Sequence, residues 1–131
     1  MSEIVFIEPH GEDEMRLLAL VLEENGGDVL VAMADPDVRI AGHLDIVLVP
    51  SPAFTIPCAV AVFSHAVAWV SRDRIASTLG TVPDSVVDMT IDAGAGVMPP
   101  QEMRGMHMAD PLIDPRAEAQ VRLASWWLSQ V

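Results

Sequence analysis

Lysine and tyrosine are absent from this sequence, and cysteine occurs once, as Cys58. Without lysine there is no Schiff-base, phosphate-loop or lysine general-base chemistry. A single cysteine excludes an internal disulfide. No charged stretch followed by an apolar one opens the chain, so the expected compartment is the cytoplasm. Positive charge is also scarce. Seven arginines face 19 acidic residues, for a net charge of −12. Such a surface repels phosphate backbones and anionic lipid, so neither nucleic acid nor membrane is an expected partner. Long apolar runs are missing as well. The longest, Ile56 to Val70, is interrupted by Pro57, Ser64 and His65 and falls short of the roughly 20 residues a membrane-spanning helix needs.

What is present is the material of a core. Of 131 residues, 51% are hydrophobic, enough for a single domain over residues 1–131 that folds without staples. Ile4 to Ile7 reads as a buried strand ended by Pro9. From Glu12 to Asn25, Met15, Leu18, Ala19 and Leu22 recur at helical spacing, and Gly26-Gly27 supplies a stop. Val29 to Met33 and Asp45 to Val49 read as further strands. Pro57 to Ala76 reads as a buried helix, with a strand at Val60 to Phe63 as the alternative. Ser85 to Ile91 and Met106 to Met108 complete the strands. A last helix follows Asp114-Pro115, with Ala117, Val121, Ala124 and Leu128 as its stripe. Strands alternating with helices predict an α/β, flavodoxin-like three-layer sandwich on a parallel five-stranded sheet, ordered 2-1-3-4-5.

Several segments are similar to bacterial TIR (Toll/interleukin receptor-like) domains. Phe6-Ile7-Glu8-Pro9-His10-Gly11-Glu12-Asp13-Glu14 resembles the family's opening strand and first loop. Asp45 to Phe54 resembles its third strand and Ser-Pro-x-aromatic exit. Met98-Pro99-Pro100 through Met108 resembles its Leu-Pro-Pro loop and fifth strand. By position in that family, Glu8, His10, Asp13 and Ser51 would face a nucleotide such as NAD. The family's catalytic glutamate has no counterpart: Ser51 to Ser71 contains no acid. The resemblance therefore implies a signalling or protein-interaction module with no catalytic residue and no required cofactor. The alternative it leaves is an NAD glycohydrolase in which Glu8, Glu12 or Asp35 substitutes.

Other constellations are thin. Ser51 and His65 lack the elbow and third member of a hydrolase triad. Four scattered histidines show no metal-ligand spacing, and no metal is expected. Cys58 reads as packed. Receiver-type phosphorylation is excluded, because the third strand ends at Val49-Pro50 without an aspartate and lysine is missing; a receiver-shaped pseudodomain is not. Partnership through self-association or another protein is expected to use Leu17 and Leu20 on the first helix and Leu123 and Trp126 on the last, residues that the predicted core stripes leave exposed.

Overall fold

A computed structural model describes residues 1–8, 17–105 and 115–130, with the side chains of the last helix described over 120–129. The described chain forms one six-stranded, wholly antiparallel sheet and two helices. The strands are β1 (Ser2–Ile7), β2 (Leu17–Asn25), β3 (Asp28–Asp35), β4 (Ile46–Leu48), β5 (Val60–Ser71) and β6 (Ile75–Val82). Their order is β4-β5-β3-β2-β1-β6. Helix α1 spans Asp84–Gly94 and α2 spans Pro115–Gln130. This corrects the parallel 2-1-3-4-5 sandwich.

The correction begins at β2. Leu17 to Val21 is apolar at every position, so it satisfies helical and strand periods equally well. In the sheet, Leu17, Ala19 and Val21 enter one core cluster while Leu18 and Leu20 enter the other. Burial on both faces therefore overrides the helix propensity of leucine. The predicted helix stop at Gly26-Gly27 is a two-residue hairpin turn, with Asn25 paired to Asp28 and Gly26 at a φ of 64°. A glycine adopts that conformation at no steric cost, and a reversal this tight makes its strands antiparallel.

The Pro57 to Ala76 helix is likewise a strand, β5, at twelve residues the longest in the sheet. Its β-branched residues favour the pleated surface. Between the pairs Ala32↔Val67 and Ala34↔Val62, two steps along β3 oppose five along β5. The surplus forms a bulge carrying Ser64 and His65. The predicted strand at Ser85 to Ile91 is instead α1. Val86, Val87, Thr90 and Ala93 are its buried residues, a helical spacing that β-branching obscures. The expected strand at Met106 to Met108 lies outside the described residues. The last helix is found where it was expected, but its inner face is Gln120, Ala124 and Trp127, while Val121 and Leu128 are exposed.

The sheet is curled. Thr55, in the β4–β5 loop, exchanges two backbone hydrogen bonds of 3.0 Å with Thr81 of β6, so the two edges approach each other. Gly80 makes this approach feasible, since a Cβ there would lie 2.0 Å from the Thr55 carbonyl oxygen. One face packs Phe63 and Val31 under Trp127 of α2, and the other packs Val62 and Leu20 under Val86 of α1. Each such large side chain contributes roughly 1.5–3 kcal/mol by leaving water. No helix of the described residues is long and apolar enough to cross a membrane.

Candidate functional site

The antiparallel topology brings the end of β1, the start of β2 and the end of β3 to the same margin of the sheet. A cavity of about 580 Å³ opens there, within the size range of small-ligand sites. Phe6, Leu18 and Met33 contribute from the sheet. Leu79 of β6 and Cys58, ahead of β5, close one side, and Leu123 and Trp126 of α2 close the other. Among the described residues the lining is apolar except for the Cys58 thiol and the carboxyl of Asp35, the last residue of β3.

Asp35 is half-buried, and desolvation raises its pKa above the ordinary 3.8. The hydrogen bond from the Asp37 backbone partly offsets this, and the nearby Asp37 charge adds to it. That hydrogen bond, 2.8 Å, falls on Oδ1. Oδ2 accepts none among the described residues. The closest cation in sequence, Arg39, is committed to Asp37 through Nε at 2.9 Å and Nη2 at 3.1 Å.

The α2 wall is held by a second polar group. Asp45, 2% exposed, accepts on Oδ2 from the backbone N–H of Gly42 at 2.8 Å and from Nε2 of Gln120 at 2.5 Å. His65, on the β5 bulge, brings Nδ1 to 3.6 Å from Asp45 Oδ1, too long for a hydrogen bond. Ser64 donates from Oγ to the Leu44 carbonyl at 2.6 Å. The bulge thus serves to brace the turn that holds Asp45.

Of the residues expected to face a nucleotide, the structure describes Glu8 and Ser51. His10 and Asp13, with Glu12, lie outside the described residues. Glu8 is exposed, and its backbone N–H donates to the Arg74 carbonyl at 2.8 Å. Ser51 accepts on Oγ from Ala53 N at 3.2 Å and Phe54 N at 3.1 Å, building its own turn. Glu8 meets the chain just before β6, and the Ser51 loop meets β6 at its far end through Thr81. The length of that strand separates them. Ser51 and His65 are likewise apart, near opposite ends of β4. Cys58 is exposed, not packed. Leu17 and Leu20, expected on an exposed helix face, are 3% and 0% exposed because β2 is a central strand. Leu123 and Trp126 do meet, in the wall of the cavity. Among the described residues, no group of three or more His, Cys, Asp or Glu side chains could hold a metal ion.

The sequence reading missed Asp45 and Gln120, which sit 75 residues apart with no motif to link them. The signal that was available was an Asp leading straight into an apolar strand.

No protein-family model matches the chain, and no curated protein does. Solved structures do. The Mycobacterium tuberculosis toxin MazF-mt6 superposes with a TM-score of 0.54 at 12% identity, over 72% of this chain and 93% of that one. The chain shares the fold of MazF-mt6. At this identity the likeness is one of fold alone. With the antiparallel sheet, it overturns the TIR resemblance and the signalling-module and NAD-enzyme readings that rested on it. Two of the TIR-like segments begin in short apolar strands, β1 and β4, that run toward a proline, a pattern that unrelated sheets share.

Proposed function

We propose that this MazF-like domain acts by binding, taking an apolar group into the cavity between the sheet margin and α2, and that it does not act on nucleic acid. The observation that carries the reading is the cavity itself, apolar and walled by five separate elements. The charge supports the second half. Beyond the net −12, Arg72 pairs with Glu24 at 3.3 Å and Arg39 with Asp37. Arg74 and Arg104 donate to the backbone carbonyls of Glu8 and Pro99. Among the described residues, two guanidinium charges are thus matched by carboxylates, and the net negative charge repels phosphates.

Titration with the neutral fluorophore N-phenyl-1-naphthylamine tests the reading. The expected result is saturable binding of one probe per chain, weakened about tenfold or more by Cys58→Phe, which blocks the cavity from an exposed loop. Absence of saturable binding, or binding indifferent to that substitution, would sink the proposal. A toxin activity carried over from MazF-mt6 is the competing reading. Growth arrest on induced expression of the chain in a bacterial host, with turnover of added RNA by the purified protein, would favour it.

A further inference from the structure

Asp35 sets what the cavity accepts. A carboxyl group in an apolar wall loses hydration, and that loss is offset only by a partner that brings charge or donors. The described residues supply one donor, the Asp37 N–H on Oδ1, and direct the Arg39 guanidinium to Asp37 instead. Asp35 lines the cavity, and its Oδ2 has no hydrogen bond among the described residues. The remaining lining among the described residues offers Phe6, Leu18, Leu79, Leu123 and Trp126 to an apolar body, and no second carboxylate or cation. Size, apolar lining and one unmatched acid together specify a ligand with an apolar body and a single cationic end.

Resting on the binding reading above, we propose that the natural occupant is a small apolar amine, its ammonium seated on Asp35 Oδ2 and its hydrocarbon against Trp126 and Leu18. A free ligand is specified because the cavity is of small-molecule size and the acid sits in its wall. The whole-molecule charge of −12 acts in the same sense, concentrating cations and depleting anions near the surface. An anionic tail of equal length meets both the local acid and the global field. A neutral one gains only hydrophobic transfer.

Octylamine, octanol and octanoate, matched in tail, separate these terms by calorimetric titration of the intact chain and of Asp35→Asn. Asparagine keeps an oxygen for the Asp37 N–H, so the variant retains the β3 turn. Octylamine is expected to bind at least about tenfold tighter than octanol, with octanoate weakest, a ratio of the size that a charge-assisted hydrogen bond gives. Asp35→Asn is expected to bring octylamine down to the level of octanol and leave octanol unchanged. Lowering the pH toward the raised pKa of Asp35 should weaken the amine alone, because the protonated acid no longer attracts it. If octanol binds as tightly as octylamine, or the amine's advantage survives Asp35→Asn, the inference fails while the binding reading stands. If none of the three binds, both fail.

Discussion

Gln120 Nε2 donates to Asp45 Oδ2 at 2.5 Å, joining residues 75 apart and fastening α2 to the turn that precedes β4. The carboxylate is buried and its other donor to the same oxygen is the Gly42 backbone. Removing the amide leaves a buried charge short of a partner. Gln120→Leu is therefore expected to cost about 1–3 kcal/mol in urea denaturation. Because Leu123 and Trp126 lie on the same helix within two turns, probe binding in the cavity should weaken as well. A stability loss with unchanged probe affinity would show that α2 keeps its place without the bond.

The raised pKa of Asp35 has a definite sign in stability. An acid whose folded pKa exceeds its unfolded value holds its proton more tightly in the folded state, so its contribution declines as pH rises through the window above 3.8. Asp35→Asn removes that decline. The melting temperature of the variant relative to wild type should therefore improve as pH rises above 3.8 and level off once the folded-state pKa is passed. A constant difference across that range would mean that the carboxyl is not desolvated in the folded protein.

Closure of the curled sheet is sensitive at one glycine. A Cβ at position 80 would lie 2.0 Å from the Thr55 carbonyl oxygen and 2.8 Å from Ile56 Cγ2. Gly80→Ala must push the β4–β5 loop off β6, at about 1–3 kcal/mol. Amide exchange at Thr55 and Thr81, which bond each other at 3.0 Å, should accelerate more than exchange in β3. Equal acceleration everywhere would point to global destabilisation only.

Salt should stabilise the chain. The exposed pairs Arg72–Glu24 and Arg39–Asp37 contribute little in water and lose that little on screening. The repulsion within a net charge of −12 is spread over the whole surface and is screened at the same time. A melting temperature that rises from about 0.01 M to about 0.15 M NaCl is the expected outcome; a fall would assign the larger role to the pairs.

Composition and local pattern determined the charge, the missing lysine and disulfide chemistry, the strands around Ile4, Val29 and Ile46, and the final helix, because those follow from residue type and short-range periodicity. Asp35 was visible as an acid of interest, though for a reaction the fold does not support. The rest was decided by long-range contacts. Leu17 to Val21 is apolar at every position, so only its burial between β1 and β3 makes it a strand. The Gly26-Gly27 turn reverses the chain where a helix stop would also have fitted. The cavity needs Phe6, Met33 and Trp126 from three distant stretches of chain, and the helix that walls it is bonded to the β4 turn between Gln120 and Asp45. Such pairings cost loop-closure entropy that only the assembled core offsets, so no local window of the sequence contains them.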